Sequence, residues 1–339
     1  MKLFKCLLIA PAALGLMAPI ATNADTAFTS TTTLGGSAYF TTGSVDAGTG
    51  GANEELYSQY RVNLSSNSSF TGEDNLKVGL KVGNASGPLA SMDNATGAGS
   101  DAGGALSMST LFYSFPVSDL SVTAGPLLAQ DDVLAATTSA YSDEFRLGSM
   151  PFSAAGSEKG PGVAISYAND NGVVASASFV AADGADSTKG INTDTGNDVT
   201  TVTLGYDGDG FGGGLIVASN DGDVGTDGYD TFGGGIYYSP ESFPATFSVA
   251  YDTKDPETGA DATDLFIGVD YEVGPGTLSA AWNSTDVDDN SDNTDITGFE
   301  VSYTYSINDG VTVTPGIFTV DDGEGEEDTG VVVETAFSF

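Results

Sequence analysis

Hydrophobic and polar residues alternate along most of the chain, and the alternation has a period of two. The stretch LKVGLKVG (76–83) places Leu and Val on one face and only Lys and Gly on the other, because successive side chains of a strand point to opposite faces. LYSQYRVNL (56–64), LFIGVDYEV (265–273) and FEVSYTY (299–305) alternate in the same way. This pattern predicts β-strands with one apolar face.

Sixteen segments of this kind are found, and their connections alternate between short and long. The short connections carry turn residues, as in NDNG (169–172) and INDG (307–310), whereas the long ones are rich in Asp, Gly, Asn and Thr. The predicted strands lie near residues 34–42, 56–65, 75–83, 105–115, 119–127, 161–168, 172–181, 198–206, 210–219, 229–238, 243–252, 264–273, 277–284, 296–306, 310–319 and 330–339.

An even number of strands of about ten residues, with short turns at one end and long loops at the other, is typical of transmembrane barrels. The sequence therefore predicts an all-β fold, a transmembrane antiparallel up-and-down β-barrel of about 16 strands with a water-filled lumen. Its apolar faces would contact lipid, and its lysines would line the lumen. A single barrel domain is predicted over residues 25–339.

An aromatic residue closes the strand before most of the short turns. These residues predict an aromatic girdle at one membrane interface, and the alternative is that Tyr and Phe are simply common in strands. The predicted girdle consists of Phe115, Tyr167, Tyr206, Tyr238, Tyr271 and Tyr305.

The two ends of the chain carry export and assembly signals. Residues 1–24 have a basic start, an apolar core and small residues before position 25, which predicts a cleaved signal peptide that contains Cys6, the single cysteine. The last strand, GVVVETAFSF, ends in Phe337 and Phe339 on one alternating face. It resembles the C-terminal strand that the barrel-insertion machinery of bacterial outer membranes recognises.

The charge of the chain excludes several functions. There are 9 Lys and Arg, 47 Asp and Glu, and no His, so the formal net charge is −38. Nucleic-acid binding needs basic patches, and His-based catalysis or metal ligation has no residue to use. We therefore expect no enzyme, no cofactor and no dedicated metal site. The acidic stretch 286–295 lacks the Gly and the terminal acid of a calcium loop, so its alternatives are cation bridging to lipopolysaccharide or a solvated surface.

Two glycine-rich stretches, GFGGGL (210–215) and TFGGGI (231–236), lie within predicted strands. No helix follows either of them, so they do not predict a phosphate-binding loop. We expect these glycines to lie on the lumen face or at points where the strand curves sharply.

As a whole, the sequence after the leader resembles the Gram-negative general porins, and the leader resembles those of porins from marine picocyanobacteria. No S-layer-homology region precedes the strands. The resemblance implies a homotrimer in the outer membrane, in contact with lipid and lipopolysaccharide, with both termini in the periplasm. It also implies that the third long loop, residues 128–160, folds inward and narrows the pore.

The resemblance places an acidic loop opposite a basic wall at this constriction. The stretch EFRLGSM (144–150) within the loop is alternatively a strand. The candidate constriction residues are Arg61, Lys77 and Lys81 on the wall and Asp131, Asp132, Asp143, Glu144 and Arg146 in the loop.

The sequence thus predicts passive diffusion of ions and small hydrophilic solutes, with weak selectivity for cations. One alternative is a substrate-selective porin for sugars, phosphate or metal ions. The other is an acidic surface or adhesive β-protein that transports nothing.

Overall fold

The structure of the protein is a computed structural model. It describes residues 30–46, 55–92, 105–142, 158–222, 227–288, 296–321 and 327–339. The predicted leader, with Cys6, lies outside the described residues.

All sixteen predicted strands are present, and their ends differ from the predicted ones by at most four residues. The strands are β1 Thr31–Asp46, β2 Tyr57–Ser69, β3 Asn75–Gly83, β4 Ser107–Val117, β5 Leu120–Ala129, β6 Lys159–Ala168, β7 Val173–Ala181, β8 Asp198–Gly208, β9 Phe211–Asn220, β10 Tyr229–Tyr238, β11 Ala245–Pro256, β12 Ala262–Val273, β13 Gly276–Val287, β14 Ile296–Asn308, β15 Val311–Asp321 and β16 Glu327–Ser338.

Each strand pairs antiparallel with the next, and β1 pairs with β16, so the sheet closes into a barrel. At the closure, Gly36 and Phe339 exchange backbone hydrogen bonds of 2.8 and 3.0 Å. Closure leaves no strand edge unpaired, which a sheet needs in lipid because no water is present there to satisfy the backbone. The predicted fold is confirmed.

The outer face of the barrel is apolar. In β16 the side chains of Val331 and Val333 are 61% and 41% exposed, whereas Val332 between them is 1% exposed and points inward. Leu204 and Ile236, on distant strands, are 56% and 67% exposed. Large exposed apolar side chains that continue around a closed sheet indicate a surface that contacts hydrocarbon.

The turn between β2 and β3 is organised by one carboxylate. Asp74 accepts hydrogen bonds from the Ser69 hydroxyl (2.7 Å), from the Phe70 and Thr71 amides (2.9 and 2.8 Å) and from the Tyr113 hydroxyl (2.5 Å). Partial burial acts to raise the pKa of Asp74, but these hydrogen bonds outweigh it and hold the pKa well below its ordinary value. The charged form of Asp74 therefore stabilises the turn.

Two chain segments fold into the barrel instead of extending away from it. Each contains a short 3₁₀ helix, Pro88–Ser91 in the segment 84–92 and Asp131–Val133 in the segment 130–142. Among the described residues, no helix is long and apolar enough to span a membrane.

Apolar side chains on the inner face explain where these segments rest. Phe112, Phe266 and Phe318 point inward and are 7%, 1% and 0% exposed. Each belongs to a separate apolar cluster that also includes residues of an inward segment. The alternation predicts a lumen face of polar residues, but part of that face is apolar because the inward segments cover it.

Candidate functional site: the lumen wall and the inward segment

The basic residues predicted to line the lumen lie on its inner face. In β3 the Lys77 ammonium lies 5.4 Å from the ring centroid of Phe112, its neighbour on β4. On β2 the Arg61 guanidinium lies 6.0 Å from the Tyr39 ring, and its Nε donates to Asn63 at 3.0 Å. Since Asn63 pairs directly with Lys81, the Arg61 and Lys81 side chains share one part of the wall.

A fourth base lies close to this wall. Lys159 falls within the predicted loop 128–160, but the structure makes it the first residue of β6, where its ammonium donates to the Ser109 carbonyl of β4 at 2.9 Å. Arg61, Lys159 and Asp131 are the charged groups that act on Lys81. Three basic residues, Arg61, Lys77 and Lys81, are therefore gathered on the inner wall of β2 and β3, in a chain that has only nine.

The first acidic residues of the inward segment lie on this basic wall, not across the lumen from it. Asp132 Oδ1 lies 3.3 Å from Lys77 Nζ, and the two side chains are 23% and 36% exposed. A partly exposed pair of this kind contributes at most about 1 kcal/mol to stability. Its main effect is electrostatic, because Asp132 neutralises Lys77 where both face the lumen.

The segment 130–142 runs along the inner wall from β5 to β14 and is anchored by side chains of the strands it crosses. Its anchoring hydrogen bonds are Gln130 Nε2 to Thr201 Oγ1 (2.6 Å), Ala135 N to Ser176 Oγ (3.1 Å), Ala140 N to Ser248 Oγ (3.0 Å), Tyr141 OH to Glu300 Oε1 (2.8 Å) and Ser142 N to Asp270 Oδ2 (2.9 Å). Serine and carboxylate oxygens on the inner face thus accept from three backbone amides of a loop that would otherwise lose its hydrogen bonds to water.

Tyr141 is the most deeply held of these anchors. It is 7% exposed, and its ring makes an edge-on contact with Phe266 at 5.4 Å between centroids. Its hydroxyl donates to Glu300, which is fully buried. Burial, and then the negative charge of Glu300, raise the pKa of Tyr141 far above its ordinary value, so the hydroxyl stays neutral and remains a donor.

The glycine-rich stretches provide space for this segment. A β-carbon on Gly214 would lie 2.7 Å from Ala136 Cβ, and one on Gly235 would collide with the Thr138 carbonyl oxygen. On β12, a β-carbon on Gly268 would lie 2.6 Å from the Tyr141 ring. Glycine at these inner-face positions allows the loop backbone to lie directly on the sheet, which is the close approach that strand glycines permit.

Acidic residues lie on the inner face of the other half of the barrel. Asp252, Asp264, Glu300 and Glu334 of β11, β12, β14 and β16 are 1%, 8%, 0% and 3% exposed. Glu334 accepts a 3.4 Å hydrogen bond from Thr41. Because these carboxylates are buried, they act mainly as hydrogen-bond acceptors within the protein and do not contact solutes in the lumen.

The remaining predicted residues are distributed as follows. Asp143, Glu144, Arg146 and the stretch 144–150 lie outside the described residues. Phe337 packs against Phe40 at 5.0 Å, and Phe339 is 67% exposed. All six predicted girdle residues lie on the outer face, within three residues of the end of an even-numbered strand: Phe115, Tyr167, Tyr206, Tyr238, Tyr271 and Tyr305.

The described ranges contain no group of three or more His, Cys, Asp or Glu placed to hold a metal ion. The sequence reasoning placed Lys159 in the loop and not on β6, and it missed the anchors of the inward segment and the close approach that the glycines allow. Apolar residues on the polar face of a strand, such as Phe266 and Ile216, are the signal that would have indicated a covered inner wall.

Comparison with known proteins agrees with this geometry. The sequence model of the Gram-negative porin family matches residues 10–331. None of the curated protein sequences matches the chain.

Several solved structures share the fold at low sequence identity. The anion-selective porin from Comamonas acidovorans matches with a TM-score of 0.63 at 14% identity, over 92% of this chain and 100% of its own. OprB from Pseudomonas putida gives 0.64 at 10% identity, over 91% and 94%. A loop-deletion mutant of OmpT, an outer-membrane protein of Vibrio cholerae, gives 0.61 at 13% identity, over 91% and 99%.

Proposed function

Because the chain belongs to the Gram-negative porin family and forms a closed sixteen-stranded barrel, we propose that ions and small hydrophilic solutes diffuse through it passively across the outer membrane. A barrel of this size is too wide for side chains from the strands alone to fill. The observation that carries the proposal is the combination of an apolar outer face with a charged inner wall. Arg61, Lys77 and Lys81 are solvated only if water enters the barrel.

The channel needs no catalysis, cofactor or energy source, since its selectivity follows from the width of the lumen and from the charges along it. The charges at the candidate constriction are those of the basic wall and of the acidic residues in the 130–142 segment, which lies along one side of the lumen. Asp132 on Lys77 and Asp131 near Lys81 moderate the basic wall.

Weak cation selectivity is proposed for the whole channel. The formal charge of −38 is concentrated in the long loops, and a mouth of negative potential raises the local concentration of cations. This attraction is screened by salt, since the Debye length falls from about 30 Å at 0.01 M to about 3 Å at 1 M. The basic wall opposes it at close range, so the selectivity should weaken as the salt concentration rises.

The surroundings of the barrel follow from its family resemblance. We propose a homotrimer whose outer face contacts lipid and lipopolysaccharide, with both termini in the periplasm and with residues 1–24 removed. Phe337 and Phe339 would be read by the barrel-insertion machinery. The resemblance of the leader to those of marine picocyanobacterial porins stays a prediction.

Planar-bilayer recording of the folded protein under a salt gradient tests the function. Steady current steps with a reversal potential on the cation side are expected. Steps with reversal on the anion side would keep the channel and assign its selectivity to the basic wall. A folded barrel, verified by heat-modifiable migration in gels, that gives no current steps would refute diffusion and favour an acidic surface protein.

A further inference from the structure

A second segment, residues 84–92, also lies inside the barrel, and neither the sequence pattern nor the proposed constriction accounts for it. It follows β3 directly and places its 3₁₀ helix, Pro88–Ser91, on the inner face of β1 and β2. The wall it covers, from β15 through β16 and β1 to β2, begins where the path of the segment 130–142 ends, because Glu300 of β14 pairs with Phe318 of β15. The two inward segments therefore cover successive parts of the inner wall.

Two side chains of β2 hold the backbone of this segment. Gln59 is 3% exposed, donates to the Leu89 carbonyl at 2.5 Å and accepts from the Ser86 amide at 3.3 Å. Tyr57 accepts from the Leu89 amide at 2.8 Å and donates to the Ser86 carbonyl at 3.3 Å. The Gln59 side-chain amide and the Tyr57 hydroxyl thus pair with the backbone amide and carbonyl of both Ser86 and Leu89. Buried backbone groups need such partners.

Apolar side chains fix the segment to the strands that close the barrel. Leu89 and Met92 are both fully buried, and they belong to one cluster with Val45 of β1, Phe318 of β15 and Val332 of β16. Removing these side chains from water favours the docked position of the segment. The segment is therefore packed against the inner wall and held there by both hydrogen bonds and apolar contacts.

The position and composition of the segment define what it can do. Val45 is next to the last residue of β1 and Tyr57 is the first residue of β2, so the segment lies at the end of the barrel that carries the long connections. Residues 84–92, NASGPLASM, contain no ionisable side chain. The segment removes cross-section from the lumen and adds no charge to it.

We propose that residues 84–92 form a second constriction, uncharged and close to the long-loop mouth, which limits the size of solutes without selecting their charge. The inference rests on the proposed diffusion function. It divides the work between two sites. The basic wall and the 130–142 segment determine which ions pass, while the 84–92 segment limits the size of the solute. A neutral wall changes the width of the pore but not the electric field within it.

The test replaces residues 85–91 by a Gly-Ser-Gly linker in the full-length protein. Folding is verified by heat-modifiable migration. We expect a larger single-channel conductance and, in liposome swelling, a larger gain in the permeation of a trisaccharide than of glycerol. The reversal potential under a salt gradient should stay unchanged. A matched control shortens the outward loop at 186–192 in the same way and should leave all three readouts at wild-type values.

The point variants Gln59→Ala and Leu89→Ala loosen the same contacts with less risk to folding, and both should raise trisaccharide permeation in the same direction. Wild-type conductance and wild-type sugar permeation in the folded linker variant would overturn the second constriction. A shifted reversal potential would also overturn it, since the segment would then act on charge. Absence of channels from folded wild-type protein would instead refute the diffusion function on which the inference rests.

Discussion

Replacing Tyr141 by phenylalanine removes a single hydroxyl from the contact between the inward segment and β14. The hydroxyl donates to Glu300 over 2.8 Å, and the two residues are 7% and 0% exposed. The edge-on contact with Phe266 is preserved, because phenylalanine keeps the ring. The perturbation is therefore confined to one buried hydrogen bond to a carboxylate.

The magnitude follows from the burial of both groups. A hydrogen bond to a charged group contributes about 1.5–3 kcal/mol, and its loss leaves a buried acceptor with one donor fewer. Glu300 retains a further interaction, so the loss is not that of an isolated charge. We expect Tyr141→Phe to lower the free energy of unfolding by about 1.5–3 kcal/mol.

Urea unfolding in lipid vesicles measures this change, with Trp282 as the reporter. It is the only tryptophan of the chain and lies on the outer face of β13, 37% exposed, so its fluorescence reports loss of contact with lipid. The matched control is Tyr251→Phe, which removes a hydroxyl from the outer face, where Tyr251 is 46% exposed. The control should change the free energy of unfolding by less than about 0.5 kcal/mol.

A double-mutant cycle with Glu300→Gln decides whether the two side chains act on each other. Residues in one hydrogen-bonded contact show coupling energies of about 0.5–3 kcal/mol. A coupling energy indistinguishable from zero would refute the interpretation that Glu300 holds Tyr141, even if each single variant were destabilised.

The same contact predicts a pH dependence. The pKa of Tyr141 is raised above its ordinary value of 10.0, first by burial and then by the charge of Glu300, so the folded state favours the neutral hydroxyl. This contribution to stability is complete below about pH 10 and is lost as the pH rises further, because the unfolded tyrosine then ionises. The difference in stability between wild type and Tyr141→Phe should therefore shrink above pH 10, and a constant difference would contradict the shift.

Three further predictions concern the glycines against which the inward segment packs, the β2–β3 turn and the basic wall. Gly235→Ala should push the inward segment away from the wall and lower single-channel conductance, whereas Gly234→Ala on the outer face, where the nearest atom is a flexible leucine methyl, should not. Asp74→Asn should lower the free energy of unfolding by about 1.5–3 kcal/mol at neutral pH. Hydrogen bonding lowers the pKa of Asp74 against the effect of its burial, so the stability that Asp74 provides is complete above about pH 4 and is lost as the pH falls. The free energies of unfolding of wild type and variant, measured in urea, should therefore converge in acid. Lys81→Ala should move the reversal potential toward the cation side, while Lys189→Ala, in an outward loop and paired with Asp183 at 2.9 Å, should leave it in place, and equal effects of the two would remove the basic wall from the selective part of the pore.

The strands could be predicted from sequence because one physical requirement repeats along all of them. Every second side chain of a strand in lipid must be apolar, and Val331 and Val333 satisfy this requirement around a buried Val332. The short turns add an independent signal, since glycines with positive φ mark where the chain reverses, as at Gly172 and Gly210. Number, order and approximate ends of the strands follow from these two features.

The interior could not be predicted in the same way, because it depends on contacts between distant parts of the chain. The sequence NASGPLASM has no periodicity that distinguishes an inward segment from an outward loop. The pairing of Lys77 with Asp132 joins residues 55 positions apart, and nothing local to either residue specifies it. Phe318 and Phe266, apolar residues on the otherwise polar inner face, are the local trace that these contacts leave.

The order in which the chain is assembled matters for the segment 130–142, because its anchors come after it in the sequence. Ser176 and Ser248 lie on β7 and β11, and Glu300 follows Tyr141 by 159 residues. Contacts of such long sequence separation form late, since the loop-closure entropy must be overcome first. The segment has its full set of anchors only when β14 has joined the sheet. The barrel can therefore close before the segment is seated, and until then it conducts without the narrowing that the segment supplies.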